Sequence, residues 1–419
     1  MKGEGAMQYG CIAEKLGHSF SKVIHAELGN YSYELFEIAP DALDAFLQKR
    51  DFCGINVTIP YKERVIPHLS FIDEQAKAIG AVNTIVNREG RLYGYNTDFY
   101  GMKALIKHIG LDLRGKKVAV LGTGGTSKTA RTVARSLGAK TILCVSRCAG
   151  DGVVDYDALY ADHADVEILI NTTPCGMYPN PDASAVDVER FPNLSGVVDA
   201  VYNPLRPKLV LDAKKRGIPA EGGLYMLVAQ AVRASEIFFD KIYPTEVVDR
   251  VYRKIASQKE NLVLIGMPAS GKSTVGRLLA NHLGREFCDT DSEIVDFAGR
   301  EIPKIFSEDG EDAFRNIESR VICERVAQKN GLVIATGGGA ILRDENVNAL
   351  KRSGRLYFID RPLADLLPTQ DRPLASSTEA IRRRYEERYH RYCAVCDTRI
   401  EVNGSAESVA EAILTDFFS

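Results

Sequence analysis

"LVLIGMPASGKSTVGRLLANHLG", Leu262 to Gly284, reads as a strand, a glycine loop and a helix. Gly266 and Gly271 stand in a G-x-x-x-x-G-K-S spacing. Val275, Leu278, Leu279 and Leu283 give the helix that follows one apolar face. Backbone amides around Gly266 and Gly271 wrap phosphates, Lys272 reaches the β- and γ-phosphates, Ser273 ligates Mg²⁺, and Thr274 ends the loop. Such a loop calls for a parallel sheet flanked by helices and for a nucleoside triphosphate with Mg²⁺. It does not name what is phosphorylated.

A second glycine turn lies upstream, in "VAVLGTGGTSKTARTVARSLG", Val118 to Gly138. Gly122, Gly124 and Gly125 let backbone amides approach a pyrophosphate at the positive end of a helix. Ser127 stands where a third glycine would complete G-x-G-x-x-G, so the fingerprint is imperfect, and a strand-turn-helix can need glycine for its backbone alone. The next strand ends in "TILCVSR". An acid there would hold an NAD ribose, whereas Ser146 and Arg147 suit a 2′-phosphate, which favours NADP.

Outward from these turns, the 419 residues exceed one hydrophobic core. Charged residues make up 26% and the net charge is −3, which points to neither nucleic acid nor a membrane surface as partner. No apolar run is long enough to span a bilayer, and the first residues lack an apolar signal core. With nine scattered cysteines, this favours reduced thiols in a cytoplasm. "CAVC", Cys393 to Cys396, has no second CxxC to make a metal site, so packing is the favoured reading. Strands and helices alternate from Met7 onward, becoming strictly βαβ from "KKVAVLG". Polar "SQKEN", from Ser257, separates this half from the strand before the P-loop.

Four short stretches precede the Gly122 turn. "GHSFS" carries Ser19 and Ser21, "NVTIPYK" carries Asn56, Thr58 and Lys62, and "AVNT" and "YNTD" carry Asn83 and Asp98. Each alone reads as a cap or a loop. Together they suit a polyhydroxylated substrate whose carbonyl is reduced, with a lysine to supply a proton and a carboxylate to orient it. With "GTGG", "INTTPCGM" and "EGGLYMLVAQ", they make residues 7 to about 255 resemble shikimate dehydrogenase. The resemblance implies that Ser19, Ser21, Asn56, Thr58, Asn83, Asp98 and Gln230 hold substrate and that Lys62 and Asp98 are the catalytic pair. It implies that Gly122, Gly124, Gly125, Ser146 and Arg147 hold NADP(H), and that Tyr202 and Gly223 line the junction of cofactor and substrate. "VSRC" departs from the family's Asn-Arg-Thr, and Gly222 from its aspartate.

Beyond the P-loop, "FCDTD" puts Asp289 and Asp291 on alternate positions of a strand end. "FRNIE" sets Arg315 three residues before Glu318, either a surface ion pair or an arginine fork ready for a carboxylate. "ATGGGA" gives Gly337, Gly338 and Gly339, "QDRPL" gives Arg372 in a lid-like segment, and "EERYHRYCAVCD" gives Arg388. This set, from about Glu260 to Ser419, resembles shikimate kinase. The resemblance implies that Asp289 meets Mg²⁺ through water and that Asp291 accepts the 3-hydroxyl. It also implies that Arg315, Arg388 and Gly338 grip the carboxylate and that Arg372 closes over the phosphates beside Lys272. Pro368 stands where the family often has an adenine-stacking arginine.

The expectation is an α/β chain in three parts. Residues 1–100 with 224–256 form an α/β substrate domain, 101–223 a Rossmann-like NADP domain, and 258–419 a P-loop kinase. It would reduce 3-dehydroshikimate with NADPH and phosphorylate the shikimate formed, with small-molecule partners and no oligomeric state specified. Three alternatives stand open: a quinate substrate with NAD, a kinase half acting on another small metabolite or nucleoside, and one half serving as a silent regulatory module.

Overall fold

The computed structural model describes residues 9–16, 20–366, 377–402 and 404–418. They fall into two compact units, Met1–Ile255 and Ala256–Ser419.

The first unit carries two sheets. One is built from β1 (Tyr9–Ala13), β2 (Tyr33–Glu37), β3 (Gly54–Val57), β4 (Phe71–Ile72), β5 (Thr84–Arg88) and β6 (Arg91–Tyr95), in the order β2-β1-β3-β5-β6-β4. It is mixed: β5 runs antiparallel to both β3 and β6. α1 (Ser21–Ala26), α2 (Leu43–Lys49) and α3 (Glu74–Ile79) connect its strands. The β5–β6 hairpin interrupts the helix–strand alternation read from the sequence. Its tip, Glu89 and Gly90, has positive φ at both residues, the geometry a two-residue hairpin demands.

α4 (Thr97–His108) leads to the second sheet, of β7 (Lys117–Leu121), β8 (Thr141–Val145), β9 (Val153–Val154), β10 (Ile168–Asn171), β11 (Gly196–Asp199) and β12 (Ala220–Glu221). All six strands are parallel, in the order β12-β11-β10-β7-β8-β9. The chain reverses direction across the sheet between β7 and β10, which opens a crevice at their carboxyl ends. α5 (Gly125–Ser136), α6 (Tyr156–Asp162) and α7 (Lys208–Lys215) cover the faces, so β10 and β11 are buried along their whole length. α8 (Leu224–Phe239) then packs against α4. The crossing is tight: a Cβ on Gly101 would stand 2.6 Å from the Met226 carbonyl. α9 (Glu246–Lys259) ends the run, so the polar "SQK" is helical rather than a loop.

The second unit has one parallel sheet of β13 (Asn261–Ile265), β14 (Phe287–Asp289), β15 (Val333–Ala335), β16 (Gly354–Asp360) and β17 (Thr398–Glu401), ordered β14-β15-β13-β16-β17. Its helices are α10 (Lys272–Leu283), α11 (Thr290–Ala298), α12 (Ile302–Val321), α13 (Asp344–Ser353), α14 (Thr378–Val395) and α15 (Ala406–Phe418). The central β13 is buried at every residue, with one apolar cluster on each side of the sheet. Among the described residues no helix is long and apolar enough to cross a membrane.

Candidate active sites

In the first unit, the α4–α8 crossing and the end of β3 create the site. Asn96 caps α4 through its Oδ1, which accepts from Phe99 N at 3.1 Å, and this sets Asp98 in the first turn. Lys62 follows β3, and its backbone carbonyl accepts from Val82 N at 2.8 Å. Lys62 Nζ meets Asp98 Oδ2 at 2.6 Å, with the two side chains 15% and 11% exposed. A buried hydrogen-bond net reaches Thr97, the residue before Asp98. Tyr33 donates to Asn56 Oδ1 at 2.7 Å, and Asn56 Nδ2 donates to Thr84 Oγ1 at 3.0 Å. Thr97 N donates to Asn83 Oδ1 at 2.7 Å, and the Thr97 hydroxyl lies 3.2 Å from Gln230 Oε1. Thus Asn56, Lys62, Asn83, Asp98 and Gln230, spread over the sequence, meet in one place. Tyr33, Thr84 and Thr97 tie Asn56, Asn83 and Gln230 together and were not singled out in the sequence. Thr58 is partly buried behind β3, and Ser21 opens α1. Ser19 lies outside the described residues.

The glycine turn reaches the same place. Gly122 has φ +109°, and a Cβ there would stand 2.8 Å from Thr172 Oγ1 in the loop after β10, so glycine is required. Past it, a Cβ on Gly124 would meet nothing, and one on Gly125 only Lys62 Cδ, 4.0 Å away. The open backbone of this turn, at the N-terminus of α5, fits a pyrophosphate and lies beside the lysine. Ser127, where a third glycine would stand, is fully buried, and its Oγ has no hydrogen-bond partner among the described residues. Arg147 is exposed just past β8, next to Ser146. Tyr202 packs its ring 5.4 Å from that of Phe20, and burial raises the pKa of its hydroxyl. A Cβ on Gly223 would overlap the Ala200 carbonyl, and one on Gly222 would stand 2.5 Å from the Leu205 carbonyl, so neither position admits a side chain.

In the second unit, Lys272 opens α10 and is 5% exposed, with Nζ donating to the carbonyls of Gly266 (2.9 Å) and Met267 (2.8 Å) of its own loop. Ser273 Oγ donates to Asp289 Oδ2 at 2.8 Å. Asp289 and Asp291 do not alternate along a strand. Asp289 ends β14 and caps α11, its Oδ1 accepting from Asp291 N at 3.0 Å, while Asp291 sits in the first helical turn. The cap leaves one Asp289 oxygen for the serine and lifts Asp291 into a cavity of about 590 Å³. Arg315, Glu318, Arg388 and Gly337–Gly339 line the same cavity. Ser273 and Asp289 are hard oxygen donors that fit Mg²⁺ through its waters.

Arg315 donates to Glu318 Oε2 at 2.7 Å and to Glu311 Oε1 at 3.1 Å. Glu318 is fully buried, so this is no surface pair, and its carboxyl pKa is raised by burial, Arg315 opposing and Asp291 adding to the shift. Arg388 Nη1 donates to the Gly338 carbonyl at 3.2 Å. A Cβ on Gly337 would stand 2.7 Å from Asp291 Oδ1, and one on Gly339 would overlap the Arg315 guanidinium. The Tyr392 hydroxyl, overlooked in the sequence, lies between the carbonyls of Gly266 (3.0 Å) and Gly338 (2.5 Å) and locks the P-loop to the triple glycine. Thr274 is exposed at the loop's rim. Pro368 and Arg372 lie outside the described residues.

Known proteins resemble this chain in sequence and in fold. The model of the shikimate dehydrogenase substrate-binding domain matches residues 11–85. A shikimate dehydrogenase (NADP(+)) of Clostridium perfringens is 39% identical over 247 residues, covering 55% of this chain and 91% of that protein. The chain belongs to the shikimate dehydrogenase family. Residues 268–417 match the shikimate kinase family model, so a shikimate kinase domain follows the dehydrogenase in the same chain. Shikimate dehydrogenase 1 from Peptoclostridium difficile superimposes with a TM-score of 0.56 at 36% identity, covering 59% of this chain and 97% of that one. A chorismate mutase/shikimate 5-dehydrogenase fusion protein from Clostridium acetobutylicum gives a TM-score of 0.57 at 34% identity, covering 60% and 97%. The shikimate dehydrogenase of Thermus thermophilus, solved with NADP(H) and shikimate, gives 0.53 at 29% identity, covering 59% and 99%.

Proposed function

We propose that the first unit reduces 3-dehydroshikimate to shikimate and that the second phosphorylates the hydroxyl so formed. Bound NADPH supplies the hydride. Lys62 gives a proton to the carbonyl oxygen as it becomes a hydroxyl, and Asp98, 2.6 Å away, holds the ammonium in place. Ser19, Ser21, Asn56, Thr58, Asn83 and Gln230 hold the substrate. Residues 1–100 with 224–256 hold the substrate, and 101–223 the dinucleotide. The observation that carries this reading is the Lys62–Asp98 pair beside the open backbone of Gly125.

In 258–419, bound ATP supplies the phosphoryl group and Mg²⁺ screens its charge. Asp291 orients the 3-hydroxyl and accepts its proton. Arg315, Arg388 and the Gly337–Gly339 backbone grip the carboxylate. Lys272 and Arg372 neutralise the charge that develops on the phosphates. The supporting observation is the shared cavity of Asp291, Arg315 and Arg388 next to Ser273 and Asp289. Because NADPH and ATP are its two cosubstrates, we place the enzyme in the cytoplasm. Its partners are small molecules, not nucleic acid or membrane.

The test is one reaction containing 3-dehydroshikimate, NADPH and ATP, with NADPH oxidation and ADP release followed separately. ADP release is expected only after NADPH oxidation begins. ADP release without NADPH would refute the order. NADPH oxidation with no ADP release would mark the kinase unit as silent. Quinate with NAD⁺ as a second arm is expected to be the slower pair.

A further inference from the structure

β16 ends beside the P-loop, and Arg361 is the first residue past it. The acid next to it is occupied elsewhere: Asp360 Oδ2 accepts from Tyr389 OH at 3.0 Å and from Arg399 Nε at 2.7 Å. Arg361 instead turns to the loop. Its Nε donates to the Ser270 carbonyl at 3.3 Å, and its Nη2 stands 3.5 Å from where a Cβ on Gly271 would be. The side chain is partly buried, and no carboxylate among the described residues forms an ion pair with it.

This placement runs against the local field. Gly271 has φ +95° and caps α10, whose N-terminus carries positive partial charge. Lys272 already sits there, its charge answered by the Gly266 and Met267 carbonyls. A second cation at that helix end is electrostatically unfavourable until an anion lies between the two. A guanidinium is also less strongly hydrated than an ammonium and presents a planar fork that matches phosphate oxygens.

We propose that Arg361 contacts the polyphosphate of the bound nucleotide, as a cation beside Lys272, and so sets affinity for the phosphates rather than for the base or for shikimate. The proposal rests on reading Gly266–Thr274 as the nucleotide loop. It is tested in the full-length chain with Arg361→Ala and Arg361→Lys. Binding of ADP and of adenosine is measured by calorimetry, and KM for ATP and for shikimate by kinetics, with the dehydrogenase rate as a check on each preparation. Arg361→Ala is expected to weaken ADP and raise KM for ATP about tenfold, the effect of one charge-assisted contact. Adenosine binding and KM for shikimate should stay unchanged. The gap between parent and variant should shrink as salt is raised. Arg361→Lys, which keeps charge and loses the fork, should show a smaller loss, and it carries the test if the alanine variant does not fold. Unchanged ADP affinity in both variants overturns the proposal, and so does an equal loss of adenosine affinity, which would assign Arg361 to the base. A parent chain that binds neither ADP nor ATP would fail the nucleotide-loop reading itself, a separate result.

Discussion

The two glycine turns share a frame and differ in where their cation comes from. Each follows a buried central strand, β7 or β13, and each opens a twelve-residue helix. The P-loop carries its own chemistry: Lys272 and Ser273 are the first two residues of α10. The dinucleotide turn carries none. The lysine beside Gly125 is Lys62, from the loop after β3 of a different sheet, tied to Asp98 at the head of α4. The chemistry explains the difference. In phosphoryl transfer the charge develops on the phosphates themselves, so the neutralising cation belongs on the phosphate loop. In carbonyl reduction the charge develops on the substrate oxygen, away from the pyrophosphate, so the acid belongs to the substrate domain and the turn needs only backbone.

The largest break in that comparison is Lys62→Ala. General acid–base groups contribute about 10²–10⁴-fold. Reduction of 3-dehydroshikimate should fall within that range, while phosphorylation of added shikimate stays at the parent rate. A near-normal reduction rate would remove Lys62 from its role. A matched fall in kinase rate would show that the two chemistries are not separable.

Asp291→Asn is the counterpart in the second unit, with a smaller expected loss. Asparagine keeps the shape and can still orient a hydroxyl, and phosphoryl transfer depends on positioning and electrostatics more than on proton abstraction. A fall of about 10²-fold in phosphorylation is expected, at the low end for an acid–base group. ATP affinity and the reduction rate should hold. Unchanged turnover would exclude Asp291.

What the sequence disclosed follows the same divide. A P-loop is local, so Gly266, Gly271, Lys272 and Ser273 could be read with no knowledge of tertiary structure. Lys62 and Asp98 were reached through residue type and family resemblance, since nothing in their spacing says they touch. The net that joins Asn56, Asn83 and Gln230 beside them was not seen. Tyr33 reads as one more aromatic strand residue and Thr97 as an ordinary helix start, because strand and helix patterns report neighbours along the chain and not those brought in by another strand. Glu318 illustrates the limit. Its i, i+3 spacing from Arg315 is that of a surface pair, yet the packing of α12 leaves it fully buried. Asp289 and Asp291 alternate in sequence, but the capping bond turns the chain into α11 between them.

A third test sets two buried groups of the dehydrogenase unit against each other. Burial pushes the Asp199 carboxyl up to about 7, against the opposing hydrogen bonds from Val201 N and Asn171 Nδ2. Burial pushes the His25 imidazole down to about 3. The Asp199 contribution is fully present below its unfolded pKa of about 3.9 and is lost as pH rises through 7. The His25 contribution is present above its unfolded pKa of about 6.5 and is lost as pH falls toward 3. Between about pH 4 and 6.5 the two slopes oppose. Asp199→Asn keeps an acceptor for both donors and cannot ionise. It should therefore be more stable than the parent at pH 8, by on the order of 2–4 kcal/mol, with the gap closing toward pH 4. Thermal melts of the dehydrogenase unit at pH 5 and pH 8 check this, and an equal gap at both would sink it.

The smallest expected effect concerns the dinucleotide turn's lack of charge. If that turn binds through backbone alone, discrimination between NADPH and NADH has to come from residues beyond it. Ser146 and Arg147 stand at the end of β8, the neighbour of β7, where the ribose of a dinucleotide held on the turn would lie. A charge-assisted contact to a 2′-phosphate is worth about 1.5–3 kcal/mol. Arg147 is exposed, so the low end applies, about tenfold in KM for NADPH. Arg147→Asp replaces attraction with repulsion for the phosphate and offers a carboxylate to a free ribose hydroxyl. KM for NADPH should rise and KM for NADH should fall, with kcat held, because neither change touches Lys62 or Asp98. Both KM values should also converge as salt screens the exposed charge. Equal efficiencies for the two cofactors in the parent chain would mean that Arg147 does not meet the phosphate.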